Sequence, residues 1–245
     1  MKIITFASLK GGVGKTSCAV FVSQALAQHG RKVLTIDMDG PNNNLTDYFL
    51  RKQTVDELEK RNLGHVIVGS LSPQEAIFRT DSQVDVIAAT QKMSRYLAVE
   101  MGRDPGLLLR FPGIIKRLVE YDFVIMDTPP AYVPEFLCGI YASQQVIVPA
   151  ALHRWMISGF NLVKEEVNKS ETTTGIPIKL SIIPSCVTEK EAADVVQTTQ
   201  WSSFKTAILR SASIRNAGNR GIPLKEQTKP WQQYQLFAEE LEANQ

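Results

Sequence analysis

Ser8-Leu9-Lys10-Gly11-Gly12-Val13-Gly14-Lys15-Thr16 follows an apolar run at 3–7 and opens a helical pattern over 16–29 that closes at Gly30. A strand, a glycine-rich turn and a helix in that order let backbone N–H groups wrap a phosphate, with the positive end of the helix dipole behind them. The ending Gly14-Lys15-Thr16 fits Gly-x-x-x-x-Gly-Lys-Ser/Thr, although Leu9 occupies the first glycine position of that pattern. Gly11, Gly12, Val13, Gly14, Lys15, Thr16 and Ser17 are therefore the candidate cradle for nucleotide phosphates. Lys15 is placed to reach the β- and γ-phosphates, and the Thr16 hydroxyl to hold Mg²⁺. An ordinary glycine-rich strand–helix turn has no need of the Lys-Thr ending.

The rest of the chain is consistent with that turn. It has 245 residues, 44% of them apolar and 21% charged, with 27 Lys+Arg against 25 Asp+Glu. Such a composition excludes a disordered tail or a collagen-like repeat. No apolar run approaches the ~18 residues that cross a bilayer, and the segment before Lys10 is too short for a signal peptide. Cys18, Cys138 and Cys186 lie far apart without a CxxC, so reduced thiols and a cytoplasmic location are expected. Further apolar runs lie at 32–36, 84–88, 123–126, 145–149, 178–183 and 206–209, with helical patterns between them. Continuous rather than alternating runs imply a parallel sheet covered on both faces. The expected fold is α/β, a single domain over 1–245 with a mostly parallel twisted sheet of about seven or eight strands and helices on both faces. Ser72-Pro73-Gln74-Glu75 has the form of a capping box with proline at the first helical position. The stretch 40–81 is the least regular, with a weak amphipathic pattern over 55–62. The tail 231–241, apolar at Tyr234, Leu236, Phe237 and Leu241, reads as a closing helix packed on the sheet. Glu239, Glu240 and Glu242 make it acidic, unlike a membrane-seeking helix.

Two segments supply carboxylates. Val33-Leu34-Thr35-Ile36-Asp37-Met38-Asp39 reads as a buried strand ending in two aspartates on either side of Met38. Ligands of parallel sheets sit at the carboxyl ends of the strands, so Asp37 and Asp39 are expected to face the phosphate site. Phe123-Val124-Ile125-Met126-Asp127-Thr128-Pro129-Pro130 runs four apolar residues into Asp127. That is the form in which a carboxylate accepts a hydrogen bond from a Mg²⁺-bound water. An aspartate capping the next helix is the alternative for Asp127.

Lys10 has no obvious role within a single cradle. The run Lys10-Gly11-Gly12-Val13-Gly14-Lys15-Thr16 resembles the deviant Walker A loop of the ParA/MinD family of P-loop ATPases, and Asp127-Thr128-Pro129-Pro130 resembles that family's Walker B ending. The resemblance covers most of the chain, weakly over 50–120. It implies a P-loop NTPase fold, ATP and Mg²⁺ as ligands, and slow ATP hydrolysis. It also implies a homodimer in the ATP state, in which Lys10 reaches across to the partner's phosphates. Catalytic roles then fall on Lys10, Lys15 and Asp39, with Asp39 positioning the attacking water; metal roles fall on Thr16, Asp37 and Asp127. The family's Asp-x-Asp-Pro-Gln is not followed beyond Asp39: Gly40-Pro41-Asn42-Asn43-Asn44 holds one extra residue, and no glutamine follows the proline.

Residues 201–231 carry six basic side chains, Lys205, Arg210, Arg215, Arg220, Lys225 and Lys229, against Glu226 alone. With a net charge of +2 overall and +5 here, the rest of the chain sums to −3. Such asymmetry is the footprint of a polyanion partner, the other reading being a solvated basic surface. ParA-like members of the family bind nonspecific DNA as ATP dimers, so Lys205, Arg210, Arg215 and Arg220 are DNA-binding candidates by resemblance. Their five-residue spacing makes no single helical face, and any patch must be assembled by the fold. The family's Arg-Asn-Val-Arg-Leu-Ser-Glu-Ala-Pro is also altered, with Ser213 at the second arginine, Asn216 at the glutamate and Gly218 at the proline. The implied protein is a nucleoid-associated cytoplasmic ATPase for plasmid or chromosome partition or cargo positioning, stimulated by a ParB-like partner and not membrane-bound. The chain starts at its first strand, without the N-terminal DNA-reading extension of larger partition ATPases. A MinD-like membrane-cycling regulator, and a nucleotide-dependent assembly or small-molecule enzyme, remain as alternatives. The nitrogenase iron protein shares the loop, but Cys138 has no second cysteine within 19–137 to complete a cluster. His29, His65 and His153 show no metal-like spacing, and Trp155 and Met156 belong to a helix as core or dimer surface.

Overall fold

The protein is described by a computed structural model over residues 1–42, 44–151, 155–198 and 201–243, with the backbone alone for 155–158 and 198. It begins with β1 (Lys2–Phe6), α1 (Lys15–Gln28), β2 (Val33–Asp37), α2 (Asn44–Leu50), α3 (Val55–Lys60), α4 (Leu63–Val68) and α5 (Pro73–Ala76). There follow β3 (Ile77–Phe78), β4 (Val84–Ile87), α6 (Gln91–Arg103), α7 (Leu107–Ile115), β5 (Phe123–Asp127), α8 (Pro134–Ala142) and β6 (Gln145–Ala150). The last elements are α9 (Trp155–Thr174), β7 (Lys179–Val187), α10 (Glu189–Thr198), β8 (Ile208–Leu209), α11 (Ala212–Arg220) and α12 (Lys229–Ala243).

All of these strands join one sheet in the order β3-β4-β2-β5-β1-β6-β7-β8. Every pairing is parallel except β3 with β4. β2, β5 and β6 are buried along their whole length, which their unbroken apolar sequences require of strands covered on both faces. One face packs on α1 and α12, the other on α4, α6, α7 and α8. The seven apolar runs all become strands, and β3 is the addition. It is two residues long, too short to show a period, and leaves directly from α5, whose Ser72–Glu75 capping box forms as expected. The irregular stretch 40–81 folds into four short helices and β3.

β1 lies between β5 and β6, and its pairings set the site. Phe6 is in register with Asp127, and Asp127 with Asp37, so three strand ends finish level. The loop leaving β1 therefore opens onto a row of carboxylates.

The closing helix α12 lies against α1. Trp231, Tyr234, Phe237 and Leu241 are buried, and Phe237 packs edge-on against Phe6 and Phe204 at ring separations of 6.1 and 4.9 Å. Leu236, read above as part of the apolar stripe, is instead 52% exposed, because the helix turns it away from α1. The acidic residues tie the helix down as well. Glu240 accepts from the backbone N–H groups of Lys205 and Thr206, and Glu242 meets His29 and Arg31. Among the described residues no helix is long and apolar enough to cross a membrane. Truncating Phe237 to Ala is expected to lower stability by about 3–5 kcal/mol, the range for a fully buried phenylalanine, read as an earlier midpoint in urea unfolding.

Candidate functional site

The glycine-rich loop takes the shape its sequence calls for. Gly12 and Gly14 sit at φ of 73° and 92°, the left-handed region that glycine tolerates without strain. Gly14 is also the N-cap of α1 and offers no side chain, so no side-chain acceptor caps the first N–H groups of that helix. A Cβ at Gly14 would come 2.6 Å from Ser185 Oγ and 3.2 Å from Cys186 Sγ, so β7 closes on the loop as far as a glycine allows. Val13 turns into the core, leaving its backbone alone for a ligand.

The two lysines of the loop behave differently. Lys15 is 7% exposed, and its Nζ donates to the Lys10 carbonyl at 3.2 Å across the mouth of the loop. Burial lowers its pKa, against the opposing pull of Asp127 and Asp39. Lys10 joins the loop through its main chain, its N–H donating to Ser8 Oγ at 3.2 Å, while its side chain is exposed.

The carboxylates are also unequal. Asp37, fully buried, accepts three hydrogen bonds from the chain that follows it: from the Asp39 N–H in the loop at 2.9 Å, and from the N–H and hydroxyl of Thr46 in α2, each at 2.8 Å. Thr46 Oγ1 in turn accepts from the Ala89 N–H at 2.9 Å, which fastens the loop to the end of β4. Asp37 is thus a structural hub of the loop whatever its part in metal binding. Burial still raises its pKa to about 6. Asp127 is 1% exposed, and its Oδ1 has no partner among the described residues. Burial, then repulsion from Asp37, pushes it up to about 8, opposed by a hydrogen bond from Thr16 and by Lys15. Asp39, 7% exposed, accepts from the Asn42 side-chain amide at 3.1 and 2.9 Å on its two oxygens.

A cavity of about 1050 Å³ is lined by Gly11, Gly12, Gly14, Lys15, Thr16, Ser17, Asp39, Asn42, Pro130 and Cys186, whereas Lys10, Val13, Asp37 and Asp127 are not part of its wall. Among the described residues no group of three or more His, Cys, Asp or Glu forms a metal cage. Mg²⁺ does not require one, since it keeps waters and shares its coordination with phosphates. An orphaned buried carboxylate oxygen beside a threonine hydroxyl and a buried lysine fits such an ion, which Thr16, and Asp127 through water, would hold.

Sequence reasoning missed Asn42, Thr46, Ser185 and Arg51, and a polar residue a few positions beyond Asp39 was the only signal for any of them. The basic candidates fall into different settings. Arg210 and Arg215 line the nucleotide cavity, and Arg210 donates to the Cys186 carbonyl and lies 4.0 Å from Glu191. Lys229 pairs with Glu189. Arg220, at the end of α11, has its carbonyl bonded by the Arg51 guanidinium, and Lys205 is exposed beside the start of β8. Cys18 and Cys138 are buried thiols pushed up by burial, whereas Cys186 is half-buried in the cavity wall. His29 and His65 are held by hydrogen bonds to Glu242 and Ser70; His153 lies outside the described residues, as do the side chains of Trp155 and Met156.

A family model described as an AAA domain matches residues 1–182. The Chromosome-partitioning ATPase Soj of Treponema pallidum is 28% identical over 236 residues, covering 91% of this chain and 88% of its own length. The chain belongs to the ParA/MinD family of P-loop ATPases. Among solved structures, McdA of Cyanothece in complex with ATP is 25% identical with a TM-score of 0.84, over 99% of this chain and 96% of its own. Cobyrinic acid a,c-diamide synthase of Mycobacterium smegmatis, with a bound ATP analogue and magnesium, has a TM-score of 0.82 at 23% identity, over 100% of this chain and 95% of its own, a likeness of fold alone.

The two raised carboxyls make the metal-free ATPase pH-sensitive. Their ordinary pKa is 3.8, so the folded chain keeps protons there that the unfolded chain has lost, up through about 6 for Asp37 and about 8 for Asp127. Metal-free stability therefore falls as pH rises through that window. Asp127→Asn is expected to raise the metal-free melting temperature at pH 8 and much less at pH 5, by ~2–4 °C for each kcal/mol relieved, while weakening nucleotide binding in Mg²⁺. Scanning calorimetry with chelator at both pH values checks it.

Proposed function

We propose that this single-domain ATPase, spanning 1–245, is ParA-like: it binds ATP and Mg²⁺, dimerises in that state, binds nonspecific DNA, and lets go on slow hydrolysis. The observation that carries the reading is the division of labour between the two lysines. Lys15 is folded back into its own loop, whereas the Lys10 side chain is exposed at the rim. A lysine that its own cradle does not use is available to the phosphates of a second copy, where it acts as an arginine finger in trans does. The ATP that the Soj and McdA relatives suggest would lie on Gly11–Thr16, with the metal held by Thr16 and Asp127 and supported by Asp37 through its loop. When bound, Mg²⁺ draws charge from the phosphate oxygens. Asp39, at the cavity wall, accepts a hydrogen bond from the attacking water and so aims it.

The basic C-terminal third supports a DNA surface, with a division the charges alone do not reveal. Arg210 and Lys229 are engaged by Glu191 and Glu189, so Lys205, Arg215 and Arg220, with Arg51 beside Arg220, are the better candidates. The burial of the α12 apolar face against α1 favours DNA over a lipid surface as the target. In this reading the protein is cytoplasmic and nucleoid-associated. It serves plasmid or chromosome partition or cargo positioning, and a ParB-like partner stimulates hydrolysis.

Binding to nonspecific duplex DNA in ATP, in ADP and without nucleotide, at two salt concentrations, tests the reading. The expected result is ATP-selective binding that weakens with salt, is lost in Lys10→Ala and persists in Asp39→Ala. DNA binding absent in every nucleotide state would overturn it. Reversing Arg220 to Glu is expected to weaken binding and flatten the salt slope while ATP affinity is kept.

A further inference from the structure

The loop after β2 does more than carry Asp39. Gly40 passes so close to the start of α6 that a Cβ there would come 2.5 Å from Ser94 Oγ and 2.6 Å from the Thr90 carbonyl. Held against α6 at that point, and stiffened by Pro41, the chain turns back and brings Asn42 over the carboxylate three residues earlier. The Asn42 Nδ2 donates to Oδ1 of Asp39 at 3.1 Å and to Oδ2 at 2.9 Å, and the Asn42 N–H adds a longer contact to Oδ1 at 3.4 Å. Upstream, the Asp39 N–H is tied to Asp37 at 2.9 Å. The backbone of Asp39 is thus fixed from one side and its carboxylate plane from the other.

Both residues line the nucleotide cavity. From this arrangement we infer that Asn42 is the positioning residue for Asp39, setting the orientation in which its carboxylate meets the attacking water. The inference rests on the reading that Asp39 acts on that water. The chemistry suits the task. An ionised carboxylate has about four acceptor sites, and one amide reaching both oxygens leaves capacity on each for a water. A neutral donor also fixes orientation without neutralising the carboxylate, as an arginine or lysine at the same place would do.

Steady-state hydrolysis by Asn42→Ala, Asn42→Gln and Asp39→Ala tests it, beside the affinity of each for a fluorescent ATP analogue. Asn42→Ala is expected to lose about 10- to 100-fold in kcat, the scale of a misplaced catalytic group, with KM and analogue affinity held within about twofold. Asn42→Gln, which keeps the amide, is expected to recover most of the loss. A readout independent of turnover is the Asn42 side-chain amide signal in ¹⁵N spectra of the nucleotide-free protein, expected to move in Asp39→Ala. If Asp39→Ala is inactive while Asn42→Ala hydrolyses ATP at the native rate or faster, or loses ATP affinity in step with kcat, the role of Asn42 is overturned and that of Asp39 stands. If Asp39→Ala hydrolyses ATP normally, the reading of Asp39 fails, and the inference with it.

Discussion

Asp37 and Asp127 end neighbouring strands in register, both removed from water, and their burial is the constraint that the groups at the carboxyl end of the sheet answer. Two carboxylates so placed cannot both ionise cheaply in a low-dielectric interior. Asp37 is offset by three donors from Asp39 and Thr46, and Asp127 by Thr16 and Lys15, with one oxygen left bare among the described residues. Burial disfavours the ionised form of Asp127, and a cation bound there, as proposed, would favour it. Such a balance is the usual exchange of stability for function at a binding site; the lysine of the loop stays buried with its Nζ on the Lys10 carbonyl, and Asp127 and Asp39 oppose the cost of that burial.

The strands and the loop were legible because both are written in contiguous residues. Continuous apolar runs demanded a doubly covered parallel sheet, and the glycines with Lys15 and Thr16 demanded a phosphate cradle. Contacts made across the fold were not legible. Thr46 becomes a partner of Asp37 only once α2 has folded, and Ser185 meets Gly14 only because β7 ends beside the loop. Leu236 fits the apolar pattern of α12, yet it faces solvent, since the stripe against α1 is narrower than the pattern. The positive charge of the last third could be counted from the sequence, but Glu189 and Glu191 engage part of it from α10, which composition cannot reveal.

The separation of Lys10 from Lys15 links the fold to the proposed dimer. Five residues apart on one loop, they end with opposite exposure because the turns at Gly12 and Gly14 reverse the chain between them. One lysine serves the cradle it belongs to and the other projects from it. In the proposed dimer, a twofold pair of loops facing each other would have a use for both copies of the second lysine.

The most direct test is complementation between two disabled chains. Lys10→Ala and Asp39→Ala are each mixed with ATP and a saturating stimulator, alone and together, and phosphate release is followed. If Lys10 works on the partner's nucleotide, a mixed dimer holds one site with both Asp39 and an incoming Lys10. Each variant alone is then inactive, and an equal mixture recovers up to about a quarter of the native rate, since half of randomly paired dimers are mixed and each has one working site. A mixture as inactive as its components would place Lys10 in its own site and contradict the account.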